Sequence, residues 1–214
     1  MRLVLLCAVC WAMPSWADFT LVSEAMLDGQ RQVTTVSLRG KMLRISIRRG
    51  KEETLFLRDT EAGRTRFKSP GEKARIVTDV SDKTGAPQTV VGYAFEPQNK
   101  KGKRVGISCD EFIARHELPL MTFASCYAPW STLGFESAAD FARLFPPLNT
   151  TMVVPLLSLM TLTWVGLHPS FAAYLPGIPL QRSGLPKNGR PSALTTHVTK
   201  LTHTALDAAL FEFP

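Results

Sequence analysis

The sequence predicts an α+β fold, an antiparallel sheet whose apolar face is covered by a helical insert, and three observations lead there. Leu43, Ile45 and Ile47 alternate with Arg44, Ser46 and Arg48, the period-two pattern of a strand with one buried and one wet face. Turn residues recur at Asp28-Gly29, Arg39-Gly40, Arg49-Gly50, Ala62-Gly63 and Pro70-Gly71, the spacing of an antiparallel meander. Between 128 and 175 the pattern becomes helical, which supplies the layer that an apolar sheet face needs.

The chain opens with Arg2, an apolar run from Leu3 to Ala12, and Ser15-Trp16-Ala17. A basic start, a short apolar centre and a small-x-small end make residues 1–17 a secretory signal with cleavage after Ala17. The run is too short for a bilayer-spanning helix, and neither Cys7 nor Cys10 follows the small residue of a lipidation signal. The expected product is an exported single domain, 18–214, periplasmic if the source is a Gram-negative bacterium. The formal net charge is +7, and the basic excess falls entirely within Asp18 to Val105.

Removal of the signal leaves Cys109 and Cys126, an even pair suited to one disulfide in an oxidising compartment. A hairpin turning at His116-Glu117-Leu118-Pro119 would set these cysteines directly opposite each other. It would also pair Phe112 with Phe123 and Ala114 with Met121 on the other face.

Phe19 to Gly106 reads as consecutive short strands. In the insert, Ala138, Phe141, Ala142 and Phe145 follow helical spacing, Ser137 and Asp140 form a capping pattern, and Pro146-Pro147 ends the helix. Met152 to Leu167 carries no charge, and a helix there would present Met152, Leu156, Leu159, Met160 and Trp164. An all-apolar helix is buried, in lipid or against a partner, and a lid over the sheet is the expected role. Strand character returns after Gly177-Ile178-Pro179-Leu180, with a turn at Asn188-Gly189 and a Thr/Leu/Val-rich run from Ser192 to Leu206. The interior is expected to be lined by Leu43, Ile45, Ile47, Phe112, Phe123, Phe141 and Phe145.

Catalytic signals are absent. No Gly-x-Ser-x-Gly elbow occurs. His197 and His203 would share a strand face at a separation of about 20 Å, too far to share a metal, and His116 and His168 read as loop residues. No enzyme activity, cofactor or metal is therefore expected. Two basic clusters stand out: Arg44, Arg48, Arg49 and Lys51, and then Lys100, Lys101, Lys103 and Arg104. They suit a solvated edge, or contact with anionic headgroups or an acidic partner. Without interleaved aromatics they do not suit nucleic acid. Asn149-Thr150-Thr151 matches a glycosylation sequon, relevant only in a host that glycosylates secreted proteins.

Four further stretches carry a resemblance. Gly40-Lys41-Met42-Leu43-Arg44 is similar to a Gly-Lys-x-x-Arg strand, and Gly106-Ile107-Ser108-Cys109 with Cys126 to a cysteine hairpin. Gly177-Ile178-Pro179-Leu180 and the terminal Leu206-Asp207-Ala208-Ala209-Leu210-Phe211-Glu212-Phe213-Pro214 are similar to a closing segment. Together they resemble uncharacterised envelope domains related to the outer-membrane lipoprotein carrier superfamily. The resemblance implies a half β-barrel that holds a lipid or acylated protein ligand, and no ligand-contact residue carries over. The expected function is non-enzymatic binding of such a ligand in the cell envelope, with peripheral membrane contact. The alternative is an envelope interaction, assembly or regulatory module that engages a protein partner and whose cavity is filled by its own insert.

Overall fold

The computed structural model describes residues 18–27, 29–78, 93–116, 121–144, 175–185 and 195–213. The expected signal, Phe145, the lid residues Met152, Leu156, Leu159, Met160 and Trp164, the sequon, His168 and the Asn188-Gly189 turn lie outside them.

Six consecutive strands begin the domain: β1 (Phe19–Leu27), β2 (Gln30–Arg39), β3 (Met42–Arg49), β4 (Glu52–Asp59), β5 (Arg64–Lys68) and β6 (Arg75–Thr78). The expected turn signals of the N-terminal half fall at strand junctions or in the loop before β6. Two of these junctions show why. Gly40-Lys41 and Gly50-Lys51 are two-residue loops whose glycines have φ of +52° and +61°, so each supplies the left-handed first position of a tight hairpin.

The second run is β7 (Tyr93–Arg104), β8 (Ile107–His116), β9 (Met121–Ala128), β10 (Ile178–Gly184) and β11 (Thr195–Thr202). All eleven strands form one antiparallel sheet in the order β6-β5-β4-β3-β2-β1-β11-β10-β9-β8-β7. The right-handed twist between neighbours makes an open sheet of this width curl. The two meanders meet where β1 pairs with β11, so the first and last strands lie at the centre. The ends of the order are blunted as strand edges usually are: β6 is short, and β7 carries Pro97, a bulge and exposed Lys100, Lys101 and Lys103.

The α+β expectation is corrected here, because the described residues are nearly all antiparallel sheet. Among the described residues of 128–175, helix amounts to a 3-10 turn (Trp130–Leu133) and a five-residue α1 (Ala138–Ala142). Ser137 does cap α1, its Oγ accepting from Asp140 N–H at 3.2 Å and donating to the Asp140 carboxylate at 2.9 Å. However, Gly134 in the left-handed conformation ends the 3-10 turn, and α1 is finished by Arg143. These short pieces pack onto the buried cluster of the sheet beside Phe19. Phe135 meets Phe19 edge-on at 6.1 Å, Phe141 packs on Trp130 and Phe135, and Leu133 and Leu144 are fully buried beside them.

The cysteine hairpin is also corrected. Glu111, not Cys109, lies opposite Cys126, and Phe112 and Ala114 face Ser125 and Phe123. The register differs by two residues from the expected one. A shift of two leaves every side chain on its expected face, which is why alternation alone could not exclude it. Cys109 and Cys126 are bonded on the diagonal, with Cα atoms 5.5 Å apart. The bridge packs beside Gly102 of β7, where a Cβ would come within 3.0 Å of Cys126 Sγ. Next to it, a Cβ on Gly177 would stand 2.1 Å from the Ala128 carbonyl oxygen, so only glycine lets β10 enter beside β9.

The Cys109–Cys126 bridge closes a sequence separation of 17 residues, which in the chain-entropy account stabilises by about 3 kcal/mol. Cys109→Ser with Cys126→Ser is expected to lower the unfolding free energy by about that amount in urea titration, and reductant is expected to lower the wild-type protein similarly. Melting unaffected by reductant would contradict this.

Candidate functional site

The register assigns each side chain to one of two sheet faces. Along β1 the first face carries Phe19, Leu21, Ser23 and Ala25; their β2 partners are Leu38, Val36, Thr34 and Gln32. On β3 it carries Leu43, Ile45 and Ile47, and on β4 Arg58, Phe56 and Thr54. The face is graded along the strands. The rows containing Phe19 and Leu21 are mostly apolar and buried; the rows containing Ser23 and Ala25 are mostly polar, yet also buried. One exception sits in the apolar part, where Arg58 donates to Thr65 Oγ1 at 3.0 Å.

The last of these rows crosses the central join without interruption. Arg49 of β3 faces Gln32, Gln32 faces Ala25, Ala25 faces Thr196, Thr196 faces Arg182, Arg182 faces Ser125, and Ser125 faces Phe112. Arg49 donates to Gln32 Oε1 at 2.9 Å. The Arg182 guanidinium lies 4.6 Å from the Phe123 ring centroid, a cation–π contact strengthened by its burial. Phe95 and Phe112 hold Tyr127 edge-on from two sides at 5.7 and 5.6 Å.

Buried polar atoms on this face that complete no hydrogen bond include Gln32 Nε2 and Thr34 Oγ1, while the Tyr127 hydroxyl and Ser125 Oγ lie beside each other with no further partner. Each such group forfeits its water without recompense, at a cost of about 1–3 kcal/mol. Native interiors keep few of them, and those kept call for a partner. Burial pushes the Tyr127 phenol up from its usual range, against the opposing pull of the Arg182 charge and the Ser125 hydroxyl.

The expected interior residues divide between two places. Leu43, Ile45 and Ile47 are buried in the apolar part of the first face, and Phe141 of α1 is buried in the same cluster. Phe123 and Phe112 lie in the aromatic group around Arg182 and Tyr127, five or more strands away in the sheet order. Sequence reasoning missed Gln32, Ser125, Arg182 and Thr196. The signal available was polar residues at positions whose period-two neighbours are apolar.

The basic clusters do not act as units. Arg44 and Arg48 point from the second face toward Glu53, at 4.0 and 3.4 Å, and the Ser46 hydroxyl donates to the same carboxylate. That hydrogen bond, more than the arginines, holds the Glu53 carboxyl below its usual range. Arg49 turns to the first face, and Lys51 sits in the hairpin loop. Around that loop Gln30, Arg31, Arg49 and Lys51 border an open hollow of about 550 Å³. On β7, Arg104 donates to Gln181 across a shallow pocket of about 110 Å³ beside the disulfide. His197 is exposed opposite Glu24, whose carboxyl is held low chiefly by its hydrogen bond from Arg31. His203 falls beyond the end of β11, so the two histidines share no strand. No group of His, Cys, Asp or Glu among the described residues could hold a metal, and no helix among them is long and apolar enough to cross a membrane.

No family model matches the chain, and no curated protein does. Among solved structures, PNGF-II in its C2 and P21 crystal forms is similar at TM-scores of 0.41 and 0.39, with 10% and 9% identity. The alignments cover 91% and 92% of this chain but only 29% and 30% of the PNGF-II chains. A likeness this loose carries no argument about activity.

The raised phenol gives a pH test with a definite sign. Neutral Tyr127 contributes stability that is complete below the unfolded tyrosine pKa of about 10 and is lost as pH rises through the folded value. Tyr127→Phe is expected to keep the fold at neutral pH and to lose less stability than wild type above about pH 10, measured by urea titration. Parallel alkaline curves for the two proteins would show that Tyr127 is not buried as described.

Proposed function

We propose that this protein is an exported, non-enzymatic binding protein for an amphipathic ligand, a lipid or an acylated polypeptide. The observation that carries the reading is the graded first face: an apolar region beside buried polar groups, of which Gln32 and Thr34 each keep an atom that completes no hydrogen bond and Ser125 and Tyr127 have only each other. A ligand with an apolar chain and a polar head matches that order. The head would supply hydrogen bonds to Ser125, Tyr127, Gln32 and Thr34, and the chain would lie toward Leu21, Val36 and Ile45. From Gln32 to Ser125 the row crosses four strand spacings, about 19 Å along a flat sheet, so it suits an extended head better than a bare carboxylate. The disulfide fits an oxidising compartment, in keeping with the secretory signal read from residues 1–17.

A second reading has its own support. Leu43, Ile45 and Phe141 are packed to near-complete burial, as in a core that is already full. The protein would then be an envelope interaction or assembly module with no internal ligand.

Native mass spectrometry of protein purified from the envelope, followed by solvent extraction, separates the two. The binding reading expects a recovered lipid or acyl adduct. It also expects Gln32→Leu with Ser125→Ala to weaken displacement of a fluorescent acyl probe about tenfold, the equivalent of 1.4 kcal/mol, without loss of stability. A protein that carries no lipid and displaces no probe belongs to the second reading.

A further inference from the structure

We infer that the second face of β3–β6 is a docking surface for an anionic lipid bilayer. It is built from residues other than those of the proposed ligand site and stands or falls separately. On this face β3 carries Arg44, Ser46 and Arg48, β4 Glu53, Leu55, Leu57 and Asp59, β5 Arg64, Arg66 and Lys68, and β6 Ile76; Ser46, Leu55 and Leu57 are buried, so the accessible part is Arg48 with β5 and β6. Five bases therefore meet two carboxylates. Both carboxylates are engaged: Glu53 with Ser46, Arg44 and Arg48, and Asp59 Oδ1 with the Glu61 and Ala62 amides of the following turn at 3.0 and 2.9 Å. Arg64, Arg66 and Lys68 have no ion pair among the described residues, and the two arginines are exposed.

Against this charge sits an exposed apolar side chain. Ile76 lies directly opposite Arg66 and is 66% exposed. Beside it a groove of about 140 Å³ is floored by Leu57 and closed by Phe211, which the C-terminal 3-10 turn (Ala208–Phe211) lays across the sheet. That turn is secured by Asp207, which accepts from Ala209 N–H at 3.0 Å, and the chain leading to it by Asp18, which accepts from Leu206 N–H at 3.1 Å.

The chemistry selects the occupant. The groove is too small for the face of a partner helix, and flexible cations around one protruding aliphatic side chain make no shaped socket for a protein. They suit a diffuse negative surface with an apolar layer just beneath it. Each base near such a surface is worth about a factor of five in binding, so the three without ion pairs give about a hundredfold preference for anionic over neutral lipid.

The test uses the exported protein and large unilamellar vesicles, of phosphatidylcholine alone or mixed with phosphatidylglycerol, in co-sedimentation at low ionic strength. Binding is expected to the mixed vesicles only, to fall steeply with added salt, and to drop at least tenfold in Arg64→Glu with Arg66→Glu. Because those sites are exposed, the variant should keep the wild-type melting curve. As a second arm, Ile76→Trp should add a fluorescence component that shifts to the blue with mixed vesicles and not with phosphatidylcholine. Equal binding to both vesicle types, binding indifferent to the double variant, or retention on a polyanion resin without vesicle binding would each overturn the inference.

Discussion

Everything in this structure depends on the pairing of the first strand with the last. β1 and β11 hydrogen-bond from Thr20↔Thr202 to Met26↔Thr195, with a bulge after Val22, and this pairing alone turns two meanders into one sheet. Within each run the pairings are between strands consecutive in sequence, closed by short loops in the first run and, in the second, across residues 129–177 between β9 and β10. The join instead brings together residues at opposite ends of the chain, so its loop-closure entropy is met only when both meanders are in place. The placement also removes the most exposed weakness of the two runs. Left apart, each would present β1 or β11 as an open edge.

The same pairing creates the features to which function is attributed. Gln32 belongs to the N-terminal meander, and Thr196, Arg182 and Ser125 to the C-terminal one. Only the β1–β11 register aligns them in one row. The apolar residues around Leu21 and Ile45 reach the aromatic group of Phe123 and Tyr127 through that row. The first face thus gains its grading from apolar to polar at the cost of burying polar atoms without partners. The second face follows a different logic. Over β5 and β6 it is exposed and basic, with Ile76 bare to solvent, whereas over β3 and β4 Ser46, Leu55 and Leu57 are buried and Phe211 lies beside Leu57.

Local features were legible in the sequence, and the reasons are local. The glycine-bearing turns could be read because left-handed backbone excludes most side chains, and β3 because its alternation is unbroken. The Ser137–Asp140 cap could be read because its hydrogen bonds lie within one turn. The fold class is not legible because helical spacing from Ala138 to Phe145 says a helix exists but not how long it runs; Gly134 on one side and the stop at Arg143 leave room for little more than one turn of α1. The hairpin register was missed because a slip of two residues preserves every face, and a diagonal disulfide is compatible with it. The polar row was invisible for another reason. Gln32, Arg182 and Ser125 each look like ordinary surface residues until the register of five strands sets them side by side. Arg49 adjoins Arg48 in sequence, yet adjacent strand residues point to opposite faces.

Binding across the join is tested most directly by photo-crosslinking with a diazirine-bearing acyl chain, followed by peptide mapping of the adducts. If the first face is one continuous binding surface, adducts should appear on residues of both meanders that share it, such as Ile45 or Val36 together with Phe112 or Phe123. Adducts confined to the second face, or to one meander only, would contradict it.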